Sequence, residues 1–459
     1  MPRMDSRHRS LLVAVVAIVV ALSSRPFGQD ARNDFAGIDA VARQELAQTQ
    51  APGGAIAVVL DGRVVYTRAF GVANAETGEE TRPEMLFRLG STTKMFTAAA
   101  VVLLAEQGKL KLNEPIGKHI QGLAPKIAAL TPHQLLSHTS GFLDEAPMFG
   151  SQDDDALKRE ATSWTDARFF AEPGQIYSYS NPGYWLAGLV AEQVGGKPFA
   201  DQVATTIFAP LGMTRSTFRP TIAMTYPLAQ GHDVVNGKPA VIRPSANNAA
   251  SWPAGSIFTN VLDVSRWITA FVSGGLVDGE QVLPAGVFST LATPHAAIPG
   301  SSSRYGYGVN VGEWRGLQSV SHGGSRSGYG SFIRMVPSRR CGVVVLANRT
   351  GVSLTRTADA AIEAVLKLLP APAAPGPTGV AMAAGDLTRF AGTYSQGSRQ
   401  ITVVSKDGKL LLQQGAREVP MVKVGDLEFA AGTRYVFVAD ASGAITFLHS
   451  GGRSWRKIN

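Results

Sequence analysis

Only one cysteine, Cys341, occurs in the 459 residues of the chain, so no internal disulfide can form. Its place in the apolar run "CGVVVLAN" marks it as a small buried hydrophobe rather than a nucleophile. Charge is also scarce, with Asp, Glu, Lys and Arg at 17%. The formal net charge of +8 belongs in part to the N-terminus, and the remaining basic residues are scattered rather than striped. That pattern gives no support to nucleic-acid binding; it suits a solvated surface with at most weak association to an anionic envelope. The pentad Gly-x-Ser-x-Gly is missing, which excludes the strand-to-helix serine turn built on it.

What is present begins with "MPRMDSRHRSLLVAVVAIVVALSSRPFGQD". Arg3, Arg7 and Arg9 precede an apolar run from Leu11 to Leu22, and small residues follow. This is the pattern of a secretory signal, assigned to residues 1–28, and it places the protein outside the cytoplasm, secreted or periplasmic. The run is short for a transmembrane span of about 20 residues, although an uncleaved membrane anchor is also compatible with it.

A hydrophobic content of 45% suits a globular protein with a full core. "GGAIAVVLDGRVVYTRAFG" alternates around Asp61-Gly62 and reads as a hairpin. Helices are expected from Ser91 onward, after Thr131, and at about 182–194, 198–208 and 260–272; "SFIRMVP" and "RCGVVVLAN" read as paired strands, and "RTADAAIEAVLKLL" as a closing helix. The fold class is therefore α+β, an antiparallel sheet flanked by helices over residues 36–368. The run "PAPAAPGPTGV" then signals a stiff linker, assigned to 369–384. Beyond it, 385–459 reads as a small all-β barrel, with short alternating runs broken at Asp407-Gly408, Gly425-Asp426 and Ser442-Gly443. The linker suggests a module that can be removed without loss of activity.

The chemistry concentrates in "FRLGSTTKMFTAAAVVLLAEQGKL". Ser91 opens a helix that is apolar on nearly every side, and Lys94 lies one turn on, on the same face. A buried ammonium is costly, so Lys94 is expected to be largely neutral, a base beside a hydroxyl. Two more patterns follow, Tyr179-Ser180-Asn181 and His322-Gly323-Gly324. Each alone is weak: Ser454 with Lys457, and His449 with Gly451, match the first and third patterns inside the β module, where a structural reading suffices. In the large domain the settings differ. Ser91 stands at a helix N-terminus suited to an oxyanion, Tyr179 and Asn181 precede a helix, and His322 leads two glycines into a strand edge. His133 and His138 read as structural, part of a short capped helix.

These residues, with "LTPHQLLSHTSGF", "PAGSIFTNVLDVSRWI" and "YGYGV", make residues 36–368 resemble the serine β-lactamase-related family, which includes class C β-lactamases, D-Ala-D-Ala carboxypeptidases, D-aminopeptidases and esterases of that fold. The β module resembles lipocalin-like C-terminal domains. The resemblance implies a serine acyl hydrolase without metal or cofactor, acting on a small ester or peptide substrate. It implies Ser91 as nucleophile, Lys94 and Tyr179 sharing general-base work with a phenol made more acidic by the ammonium, and Asn181, His322, Gly323, Gly324 and Ser325 as substrate-binding groups. The backbone N–H groups of Ser91 and Ser325 would form the oxyanion hole. One departure matters: His322 stands where class C β-lactamases carry a Lys facing the drug's carboxylate. A carboxylesterase-like activity is therefore expected ahead of a D-amino-acid-specific peptidase or a β-lactamase. A non-catalytic cell-wall-binding protein is the reading from a different class, and oligomeric state is not legible.

Overall fold

The computed structural model describes residues 35–369, 387–415 and 417–459. Residues 1–28, read as a secretory signal, and nearly all of 369–384, read as a linker, fall outside them. Among the described residues, no helix is long and apolar enough to cross a membrane.

The expected α+β architecture is present. The hairpin about Asp61-Gly62 forms β1 (Gly53–Leu60) and β2 (Arg63–Asn74). Both turn residues take positive φ, 49° and 76°, the twist a two-residue hairpin needs. With β3 (Glu79–Glu80), β4 (Ala296–Ala297), β5 (Arg304–Tyr305), β6 (Asn310–Trp314), β7 (Leu317–Arg326), β8 (Tyr329–Val336) and β9 (Cys341–Ala347) these strands build one antiparallel sheet in the order β4-β5-β6-β7-β8-β9-β1-β2-β3. Strand β1 is central and apolar at every position because both faces are covered. Ile56 and Val58 meet α1 (Ala36–Thr49) and α5 (Thr355–Leu366). Ala55, Ala57 and Val59 face the larger core with α2 (Lys94–Glu106), α3 (Asn181–Gly195) and α4 (Val261–Val272). Helix α2 runs through the middle of that core, and Lys94 to Leu104 are all buried.

Local sequence sets the helix starts near the cleft. Thr131 accepts from Gln134 N while the Gln134 side chain accepts from Thr131 N, and Pro132 occupies the first turn. That helix stops at Leu136; beyond it Gly141, at φ +70°, lets the chain pass Ala171 O, where a Cβ would come within 2.2 Å. Ser180 caps α3 by accepting from Gly183 N.

The C-terminal module is a nine-stranded antiparallel barrel, nearly closed, from Gly392–Gln396 to Arg453–Lys457. It packs directly on the large domain. Phe447 packs with Leu143, Phe170, Ala171 and Ile176 of the large domain. Gln396 Nε2 and Ser454 N both donate to Ser178 Oγ, and Ser454 Oγ donates to Tyr177 O.

Candidate active site

The structure gathers every residue singled out from the three patterns. Ser91, Tyr179, Asn181, His322, Gly323, Gly324 and Ser325 line one open cleft of about 680 Å³, with Lys94 directly beneath. Ser91 lies in a 3₁₀ turn, Gly90–Thr93, that runs straight into α2. Its hydroxyl caps nothing and is left for Lys94 Nζ, 3.5 Å away. Thr92 ties the turn to the sheet by donating to Leu89 O and contacting Ser331 Oγ. Gly90 takes φ +59°, and a side chain there would lie 2.7 Å from the Ser325 backbone. This close approach presses Ser91 against β7. Gly90→Ala is expected to shift Ser91 and lower kcat/KM by about 100-fold, the scale of a 1 Å misplacement, with circular dichroism unchanged.

Lys94 is wholly buried. Its Nζ donates to Asn181 Oδ1 at 2.8 Å and to Ala254 O at 2.7 Å, and sits 4.7 Å from the Tyr179 ring and 5.3 Å from the Tyr184 ring. Burial drives its pKa well below the ordinary lysine value; Asp144 opposes that shift, and Arg453 and Arg326 add to it. A neutral amine has two hydrogens and one lone pair. With both hydrogens placed on Asn181 and Ala254, the lone pair is left for the Ser91 proton.

Tyr179 departs from expectation in one respect. Its hydroxyl is buried without a hydrogen bond of good geometry, and burial raises its pKa despite the partial relief that Ser91 provides. The resting group is a neutral phenol, so it can pass a proton but does not wait as a phenolate. His138 holds it in place. The ring packs against Tyr179 at a tilt of 38° with centroids 4.2 Å apart, His138 O accepts from Ser178 N, and Nδ1 accepts from Ser180 N. Burial keeps His138 neutral, which agrees with its structural reading. His133, the other histidine set aside, contacts Tyr307 OH.

His322 is buried and engaged on both ring nitrogens. Nδ1 lies 2.6 Å from Gly323 O and must carry the proton, so Nε2 accepts from Tyr305 OH at 3.0 Å. Burial, with help from Lys94, pushes its pKa down to about 4. The ring is therefore neutral at pH 7 and offers no cation to a substrate carboxylate. Strand β6 stops pairing with β7 at Ser321, so His322 to Arg326 keep one free backbone edge beside Ser91. Gly324 has no room for a side chain, since Leu89 O and Ser331 Oγ would lie within 1.9 and 2.2 Å.

Sequence reasoning missed two residues of the site. Asp144, buried, accepts from Asn181 N at 2.8 Å and Asn181 Nδ2 at 3.0 Å. Arg453, from the barrel, donates to the other Asp144 oxygen from Nε at 2.6 Å and reaches it from a terminal nitrogen at 2.5 Å. The barrel turn Gly451–Gly452 lines the cleft beside it, and Gly452 O accepts from Tyr179 N.

This combination of an antiparallel sheet, a buried helix opening with a Ser and Lys pair, a Tyr and Asn loop and a Gly-rich strand edge defines a β-lactamase-like serine hydrolase fold. The beta-lactamase family model matches residues 38–368, and the chain belongs to that family. Its members are generally serine hydrolases. The chain is 28% identical over 361 residues to penicillin-binding protein 4 of Amycolatopsis lactamdurans, covering 74% of this chain and 94% of that protein. It is 26% identical over 324 residues to protein flp of Staphylococcus aureus (strain COL), covering 68% of this chain and 62% of flp. The crystal structure of SurE superposes with a TM-score of 0.74 at 23% identity, over 92% of this chain and 99% of SurE. SurE with D-Leu gives 0.73 at 24% identity, with the same coverage.

Proposed function

We propose that this protein is a serine acyl hydrolase that cleaves carboxylic esters through an acyl-enzyme on Ser91. The observation that carries the reading is the Lys94 amine, buried with its two hydrogens directed elsewhere and facing the Ser91 hydroxyl. In the first step Ser91 Oγ attacks the carbonyl carbon as its proton passes to Lys94. The oxyanion is met by the N–H groups of Ser91 and Ser325, where losing one such donor costs about 2.7 to 4 kcal/mol. Tyr179 then relays a proton to the leaving oxygen, the carbonyl re-forms, and the alcohol departs. Water reverses the sequence, releasing the acid and restoring Ser91. Asn181 holds Lys94 in register and meets the acyl side of the substrate.

Short neutral esters suit a site whose His322 carries no charge. A second reading, a D-amino-acid-specific peptidase, is favoured by Arg326 on the cleft wall, a cation for a peptide carboxylate. The fold shared with a protein solved with D-Leu also supports it. β-Lactamase action ranks below both, and so does a silent binding role, since no element of the nucleophile and base machinery is missing. We also propose that the enzyme is exported, on the strength of residues 1–28.

The test is a panel of an aryl acetate or butyrate, a chromogenic cephalosporin and a peptide ending in D-Ala-D-Ala. The expected result is aryl ester turnover at least about tenfold above the cephalosporin, a difference of about 1.4 kcal/mol. Preferred cleavage of the peptide would establish the second reading instead, and no turnover of any would favour the binding role.

A further inference from the structure

The barrel reaches the catalytic base through an unbroken line of contacts. Its turn at Gly451–Gly452 enters the cleft, and Arg453 clasps one oxygen of Asp144. The other oxygen of Asp144 takes both the backbone and side-chain N–H of Asn181, whose Oδ1 in turn accepts from Lys94 Nζ. The Arg453 guanidinium also lies 5.3 Å from the Tyr179 ring, and Gly452 O holds Tyr179 N at 2.9 Å. Asp144 Oδ1 accepting from Asn181 Nδ2 settles the amide orientation, which leaves the Asn181 oxygen for Lys94.

We propose that Arg453, supplied by the C-terminal barrel, is a positioning residue for the base: through Asp144 and Asn181 it orients the Lys94 amine and cancels the Asp144 charge that would otherwise hold that amine protonated. The proposal rests on the reading of Lys94 as the base.

The electrostatics have a definite sign. A buried carboxylate near Lys94 favours the ammonium, and a guanidinium bound to that carboxylate opposes it. The other groups facing Lys94 do not supply this balance. Ser91, Asn181, Ala254 O and the rings of Tyr179 and Tyr184 are uncharged in the resting site. His138 and His322 are held neutral by burial. Arg326, which acts on Lys94 at longer range, is bound to the carbonyls of Ala246 and Gly255 and does not touch Asp144. Arg453 is therefore the cation that neutralises Asp144 directly.

The experiment is the pH profile of kcat/KM for an aryl ester in the full-length protein. Arg453→Met should move the acid limb up by about one pH unit or more, so that activity lost on the acid side returns at higher pH. Asp144→Asn should move the limb down. The double variant should return it to near the parent position, and Arg453→Lys should hold it close to the parent. An Arg453→Met enzyme whose activity falls by the same factor at every pH, or does not change, would overturn the proposal. If Arg453→Met does not fold, as judged by circular dichroism, the double variant and Arg453→Lys carry the test: a limb displaced by more than about one unit in either would overturn it. Failure of the underlying reading looks different, because Lys94→Arg would then retain activity whatever Arg453 does.

Discussion

Ser91→Ala is expected to lower kcat by about 10⁴- to 10⁶-fold while the protein remains folded, since removal of a nucleophile from a serine hydrolase leaves only binding and oxyanion stabilisation. The size of the loss follows from where Ser91 sits. Its hydroxyl makes no cap and faces Lys94 and the Tyr179 phenol, so truncation removes the reacting atom and leaves the turn anchored by Thr92. No neighbour can replace it. Ser180 Oγ is occupied as the cap of α3, and Ser325 lies on the strand edge without a basic side chain hydrogen-bonded to it. Measured against the parent enzyme with an aryl ester, activity within tenfold would refute the assignment.

The second large effect is at Lys94. Lys94→Arg keeps a positive charge and similar length, but a guanidinium does not give up its proton in this range. Loss of about 10²- to 10⁴-fold in kcat is expected from removing general-base work. The pH dependence carries the same information in the parent enzyme. Burial favours the uncharged amine, so the base form is available well below the ordinary lysine range, and activity is lost only as pH falls through the lowered value. The limb on that side belongs to Lys94 and not to His322, whose Nδ1 proton and Nε2 acceptor are both committed. Activity that keeps climbing tenfold per unit up to pH 10 would mean that Lys94 is an ordinary ammonium.

Much of the site was legible because its chemistry is local in sequence. Ser91 and Lys94 are one helical turn apart, so their proximity follows from helix geometry once the apolar run is seen. Tyr179 stands just before a Pro-marked helix that Asn181 opens, and His322 to Ser325 run along a strand that glycine leaves open. What was not legible depends on contacts between distant segments. Asp144 and Arg453 meet across 309 positions, and nothing in "HSGGRSW" distinguishes a cleft-lining turn from an exposed one. The same limit applies to acidity. Proximity of Lys94 suggested a more acidic Tyr179, whereas burial, which a sequence does not display, raises the phenol instead. Helix α1 escaped notice for a related reason. Its buried stripe of Ile38, Ala42, Glu45 and Leu46 is thin and includes a carboxylate, and Glu45 is satisfied only by Thr357 and Arg356 N from the far end of the domain.

The most direct measurement is to quench the enzyme during turnover of a slow ester, weigh the intact protein and map the modified peptide. An acyl adduct on Ser91, absent in Ser91→Ala and slow to form in Lys94→Arg, is the expected result. Turnover with no adduct, or an adduct on any other residue, would contradict it.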